Sequence, residues 1–371
     1  MIKMNKFIAA IAAACCLAAS AAMLSWFLRS TGSDMVADSE SASASIMSGF
    51  EVFVNNSSAD ALADITPIKK VYRLSEDTIV APEPDQSRFG STVSHAEVEN
   101  VIDDAFILLE GEDTVFNSNI ELMPGSKVNY YLDDSIMAIT WKQAINDACY
   151  TFSEIKIADA SQFRRYFANN SFGSAIQYRT SDMASTVNAV VAMSGDFYKY
   201  RPMGIVVYGR NVFRADGSEI DTCFIDTNGD LHFVRAGDIT SQAVAEAYVK
   251  NNDILFSLSF GPILIEDGKN VCPDAYPIGE VNLTYSRAAI AQMGERHYLL
   301  VTINYEGSYL AASTVKQLAD VLVDMGCPKA YTLDGGQTGT IVMNDKVINN
   351  VDYGEERYIS DIFYFASAIT N

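Results

Sequence analysis

The chain has 371 residues, of which 49% are hydrophobic, and a formal net charge of −21. So acidic a chain is a poor ligand for nucleic-acid backbones or anionic membrane surfaces, and an anionic substrate would need a locally positive pocket. Nineteen Phe and nineteen Tyr against two Trp suit a strand-rich core.

Residues 7–28 carry no charge and follow Lys3 and Lys6. About 20 apolar residues span a bilayer, and basic residues on the N-terminal side keep that end in the cytoplasm. The expectation is an uncleaved signal-anchor over residues 1–29. It would place this single-pass chain in the cell membrane, its N-terminus cytoplasmic and its C-terminal domain extracytoplasmic. Cleavage after Ala18, Ser20 or Ala22 is the alternative. Residues 30–65 read as a flexible spacer, because Ser30 to Ser48 is rich in Ser, Ala, Asp and Gly. Residues 66–125 read as an ordered stalk or cap, with a strand within Ile68 to Pro84. An amphipathic helix is expected over His95 to Leu109.

From Ser126 the pattern turns to short strands, opening a domain expected over 126–371. Lys127 to Asp147 reads as a strand pair and Ala148 to Ala158 as another. Asp159 to Arg165 reads as a helix start, Thr180 to Val187 as a helix and Asn188 to Met193 as a buried strand. A run of hairpins follows through Val234, with an Asn-Gly turn between Asp226 and Asp230 that is sufficient to explain both acids. Then come a helix at Ile239 to Val249, a strand at Asp253 to Ile265 bent at Gly261-Pro262, and a strand at His297 to Asn304. A helix at Ser313 to Met325, a strand at Ala330 to Leu333 and another at Ile341 to Met343 complete the series. Strands and helices do not alternate strictly, so the class is α+β, a mixed β-sheet domain with packed helices. Cys149, Cys223, Cys272 and Cys327 are widely spaced and form no CxxC; buried thiols and one or two disulfides both remain open.

Three segments place polar residues at the ends of apolar strands: 194–201, 286–292 and 334–340. A fourth, 354–361, carries Glu356, Arg357, Ser360 and Asp361. The segment at 331–347, YTLDGGQTGTIVMNDKV, delivers one carboxylate to two glycines that can bring the backbone close to a ligand. A tight hairpin with a turn aspartate would look the same.

LDGGQTGT followed by an NDK turn resembles the signature loop of the phosphodiester glycosidase domain family, whose members include the lysosomal uncovering enzyme. Further blocks similar to that family occur in the same order: 194–214, 256–269, SRAAIAQ at 286–292 and GEERYISDIFYF at 354–365. Together they span roughly the C-terminal half. The resemblance implies hydrolysis of a sugar-1-phosphate phosphodiester in a cell-envelope or secreted glycan. Such chemistry needs a carboxylate at the anomeric carbon and a cationic clamp on phosphate. It implies Asp334 and Asp196 as leading carboxylates, and Arg287 and Arg357 as clamps with Arg201 in reserve. Ser194, Gly195, Gly335, Gly336, Gln337 and Thr338 would face the substrate, and Tyr198 would shape the pocket. No cofactor is implied; a divalent cation held by Asp334 or Asp196 stays open, though nothing in the sequence indicates one. Two departures stand out: Ser194 replaces a frequent Asn, and Asn304 and Glu306 replace an Asp and an Arg. They keep a non-catalytic glycan-binding or polysaccharide-assembly role open. The expected partners are a phosphorylated glycan and, through residues 7–28, the lipid bilayer.

Overall fold

A computed structural model describes residues 71–104, 114–116, 119–173, 175–278, 280–305 and 313–369. The expected anchor, the spacer, the end of the first helix beyond 104 and Glu306 lie outside the described residues. Among those described, no helix is long and apolar enough to cross a membrane.

The frame is a nine-stranded sheet. Its order is Phe89–Thr92, Val128–Leu132, Ile136–Ile145, Ala148–Ile157, His297–Asn304, Arg287–Gly294, Lys329–Leu333, Ile263–Glu266 and Lys269–Asn270. A five-stranded sheet faces it, in the order Lys346–Val347, Ile341–Met343, Val191–Ser194, Asp361–Phe365 and Phe163–Phe167. A three-stranded sheet (Leu231–Val234, Thr222–Asp226, Ile254–Leu258) and the hairpin Gly204–Tyr208 with Asn211–Asp216 complete the strands. Every pairing named is antiparallel, where the sequence reading expected a mixed sheet.

Alternation of side chains along each strand decides what each face buries. From the large sheet, Ala288, Ile290, Leu300, Tyr331 and Leu333 point inward to meet Phe163, Val191, Met193, Ile341, Phe363 and Phe365 of the facing sheet. Phe163 and Phe365 stack there at 4.5 Å. The opposite face of the large sheet, with Ala289 and Ala291, packs on Val315, Leu318, Ala319 and Leu322 of the Val315–Asp324 helix. That helix begins with a capping box of Thr314 and Gln317. The Thr180–Thr186 helix covers the outer face of the five-stranded sheet through Met183 and Ala184. Helices on the outer faces of antiparallel sheets make an α+β architecture, as the sequence implied.

Several local readings change. Residues 71–84 form no strand, and Phe89–Thr92 instead pairs with Val128–Leu132, so the stretch before 126 joins the main sheet. Ala148–Ile157 is one ten-residue strand rather than a pair. The helix expected at Asp159 to Arg165 is a single 3-10 turn, Ala160–Gln162, capped by Asp159, after which the chain enters the strand Phe163–Phe167. The strand expected across 253–265 is two strands in different sheets. No disulfide forms among the described cysteines, and burial pushes the thiol pKa of Cys223 and Cys327 up.

Candidate functional site

The site sits where strands of both sheets end. Val191–Ser194 runs out into Gly195 and Asp196, and Lys329–Leu333 into Asp334. The first end is zipped to Thr340, on the far side of the loop that Asp334 opens. Ser194 N–H donates to Thr340 O at 3.1 Å, and Thr340 N–H donates to Ser194 Oγ at 3.3 Å. Ser194 is fully buried, so its hydroxyl serves this junction.

Asp196 carries both carboxylate oxygens into a closed network. Oδ1 accepts from Arg165 Nη2 at 2.8 Å and from Tyr198 N–H at 2.9 Å, while Oδ2 accepts from Ser259 N–H at 2.7 Å. The same Arg165 nitrogen donates to Asp361 Oδ2 at 2.8 Å, and a third arm of the guanidinium reaches Ser257 O. Asp361 Oδ1 in turn accepts from Phe197 N–H at 3.1 Å and Ser360 Oγ at 3.1 Å. All three charged side chains are closed to solvent. Burial pushes the Asp361 pKa up to about 6, against the opposing pull of Arg165. Burial also opposes the charge on Arg165, but the two carboxylates outweigh it and hold its pKa above the ordinary value. Gly195 fits because it has no side chain: a Cβ there would stand 1.8 Å from Asp361 Oδ2.

Asp334 is different. Its side chain keeps 22% of its surface exposed, and Arg201 Nη2 stands 3.8 Å from its Oδ2. Burial raises its pKa, opposed first by Arg201, with Arg357 also close enough to favour the charged form. Arg201 is aimed by a 3.0 Å hydrogen bond to Asp196 O and by Phe260, whose ring lies 4.3 Å below the guanidinium. Arg357 rests on the rings of Tyr200 at 4.9 Å and Phe197 at 5.2 Å. Phe197 holds a left-handed conformation that turns the chain here. Stacking leaves the guanidinium edge of Arg357 for an anion, while Arg201, with Nη1 on Asp196 O, offers Nη2 beside Asp334.

The turn after Asp334 lies flat against the neighbouring strand. A Cβ on Gly335 would stand 2.4 Å from Ser286 O, and Gly336 has φ +61°. Thr338 N–H and Gly339 N–H both donate to Gly335 O, which closes the loop. Thr338 is buried and Gln337 Nε2 donates to Glu355 O at 3.1 Å, joining this loop to the segment that carries Arg357.

Two expected roles change with this geometry. Arg287 lies on the other face of its strand, in register with Ala289 and Ala291, and not with Ala288 beside the cleft. Its guanidinium is spent on the carbonyls of Ser313, Glu280 and Leu283. It therefore braces the far side of the sheet. Asp196 lies beneath the cleft with both oxygens occupied, so neither an anomeric carbon nor a cation can reach them. Tyr198 stacks on Phe172 at 5.1 Å in a satellite cluster with Phe167, under the Arg165 guanidinium. Arg165 is the residue the sequence reading omitted. Its signal was a basic residue alternating with aromatics in FRRYF, where a buried charge demands partners.

Residues 187–366 match the family model for phosphodiester glycosidase. A curated relative, an uncharacterized SPbeta prophage-derived protein of Bacillus subtilis, is 21% identical over 196 residues, 51% of this chain and 30% of that protein. The chain thus spans less than a third of that relative's length. Among solved structures, the zebrafish N-acetylglucosamine-1-phosphodiester alpha-N-acetylglucosaminidase catalytic domain, auto-inhibited by its pro-peptide, aligns with a TM-score of 0.49 and 15% identity. It covers 68% of this chain and 85% of that one. A hypothetical protein from Synechocystis aligns at 0.45 with 14% identity, over 62% of each chain. The sequence match is the firmest of these likenesses: over residues 187–366, which hold Asp196, Arg201, Asp334, Arg357 and Asp361, this chain is similar to the phosphodiester glycosidase family.

Proposed function

We propose that the protein is an exported, membrane-anchored hydrolase that cleaves the glycosidic bond of a sugar-1-phosphate phosphodiester in a cell-envelope or secreted glycan. The observation that supports it best is Asp334: a partly exposed carboxylate on a Gly-Gly turn, with Arg201 at 3.8 Å and Arg357 nearby. In this reading Asp334 acts at the anomeric carbon, as nucleophile or as base for water. Arg201 and Arg357 take the phosphate oxygens, and their charge stabilises the phosphate as it leaves. A phosphomonoester is a good leaving group, so the cleft needs no strong general acid. Asp196, Arg165 and Asp361 hold the floor on which Arg201 and Phe197 are positioned.

The cavity of about 480 Å³ lined by Arg73, Arg164, Tyr208 and Arg296 is a weaker phosphate site, because Glu76, Asp77, Asp159 and Glu295 line it too. Arg164 there donates to the carbonyls of Ser75, Thr78 and Ser161.

One observation favours the glycan-binding alternative. Asn304, which stands where the family has an Asp, is bound into the scaffold: its Oδ1 accepts from Asn349 Nδ2 at 2.7 Å, and its Nδ2 donates to Asp352 Oδ1 at 3.4 Å. The two readings separate on a substrate pair. The hydrolase releases sugar from a sugar-1-phosphodiester and leaves a neutral aryl glycoside of the same sugar intact. The alternative predicts saturable binding of the phosphodiester without release.

A further inference from the structure

Beside the Gly335-Gly336 turn lies an open groove of about 640 Å³, lined by Ser286, Tyr305, Asn350, Asp352, Tyr353 and Gly354. We propose that this groove is a second subsite, for a neutral sugar unit next to the one whose bond is cut. The proposal rests on the reading of Asp334 as the hydrolytic centre.

Three features point to a sugar. First, Tyr353 is 91% exposed and Tyr305 50% exposed. Each presents an apolar ring face with a polar tip, the form of side chain that binds the apolar face of a pyranose while its rim stays hydrated. Tyr353 also sits at φ +64°, a left-handed conformation costing about 1 kcal/mol or more for a residue with a side chain. Neither core packing nor the turn calls for a tyrosine there. Second, Asp352 is an oriented acceptor. Its Oδ1 takes hydrogen bonds from Ser286 Oγ at 2.9 Å and Asn304 Nδ2 at 3.4 Å. Its Oδ2 faces Gly336, 3.6 Å from where a Cβ would stand, and lines the groove. A carboxylate held this way suits paired hydroxyl donors. Third, the groove's described lining holds this carboxylate and no Lys or Arg, so it repels phosphate. The cleft is thus polar along its length, with phosphate toward Arg201 and Arg357 and the neutral sugar over Tyr305 and Tyr353. Gly336, where a Cβ would stand 3.6 Å from Asp352 Oδ2 and which lies two residues from Asp334, joins the halves.

The test compares a one-sugar phosphodiester with its two-sugar counterpart, across common hexoses and N-acetylhexosamines. Dissociation constants are measured calorimetrically on the full-length chain carrying Asp334→Asn, so that ligand is not consumed. The second sugar is expected to tighten binding by about 30-fold, the lower end for one aromatic contact plus one hydrogen bond to a charged group. Tyr353→Ala and Tyr305→Ala reduce that ratio toward one, and Tyr353→Phe restores it. A uronic acid as second sugar binds poorly, and Asp352→Asn relieves the penalty. A chain that gains nothing from the second sugar, or Ala variants that keep the gain, overturns the subsite. Tyrosine-dependent binding in a chain whose wild type releases no sugar would uphold the subsite and remove the hydrolase reading. Turnover with tyrosine-indifferent binding would do the reverse.

Discussion

Arg165 Nη2 stands 2.8 Å from Asp196 Oδ1 and 2.8 Å from Asp361 Oδ2, bridging two buried carboxylates that arrive from strands far apart in sequence. Removing the bridge leaves both acids uncompensated. Arg165→Met is therefore expected to destabilise the fold by about 3–5 kcal/mol, read by denaturant unfolding. A loss under about 1 kcal/mol, the range of an exposed ion pair, would contradict the structural role.

The same triad predicts a pH signature. Asp361, at about 6, holds its proton more tightly in the fold than it would in the unfolded chain, near about 4. Its contribution to stability is therefore greatest below about 4 and falls as pH rises through the window to about 6. Asp361→Asn should flatten that decline in unfolding measurements. An unchanged pH profile would show that Asp361 is not the group responsible.

Asp334 makes the corresponding prediction for activity. Its pKa is raised, mainly by burial, and Arg201 pulls it back. The ionised carboxylate is the working form, so kcat/KM falls as pH drops through this pKa, above the ordinary carboxylate range. Arg201→Gln removes the opposing charge and should move the acid limb to higher pH. A limb that stays or moves down would contradict the pairing.

How much of this was legible without the structure depended on how far the signal reached along the chain. His297–Asn304 and Ile341–Met343 have the ends read from the sequence, because hydrophobic runs and the Asn344-Asp345 turn are local. The close backbone approach after Asp334 was legible because two glycines follow it, as a Cβ on Gly335 would stand 2.4 Å from Ser286 O. Arg287 was misplaced because its strand is buried on both faces: Ala288, Ala289, Ile290 and Ala291 give no alternation to say which side an arginine takes. Arg165 was missed for the converse reason. Asp159 and Gln162 form a true capping box, so the stretch reads as a helix start, yet one turn later the chain pairs with Asp361–Phe365. A pairing across about two hundred residues leaves no local trace.

The two arginine assignments separate cleanly. Arg357→Ala should raise KM for a sugar-1-phosphodiester by about 10- to 100-fold, equivalent to ~1.5–3 kcal/mol, with folding stability little changed. Arg287→Ala should instead lower stability, since its carbonyl partners lose their donor, and leave KM nearly unaltered. The opposite pattern would return Arg287 to the phosphate.

Gly335→Ala probes the turn itself. A methyl group 2.4 Å from Ser286 O meets backbone, which cannot swing aside, so the loop must lift from the strand. Activity should fall by about 100-fold, with a stability loss of about 1–3 kcal/mol. Full activity would mean that the turn is not the platform for Asp334.

The most direct measurement is release of free sugar from a panel of sugar-1-phosphodiesters by the full-length protein, beside Asp334→Asn of equal thermal stability. The predicted result is turnover by the wild type that falls at least about 1,000-fold in the variant, the scale of losing a charged catalytic group. Release that persists in Asp334→Asn, or no release from any phosphodiester that the wild type binds, would contradict the account.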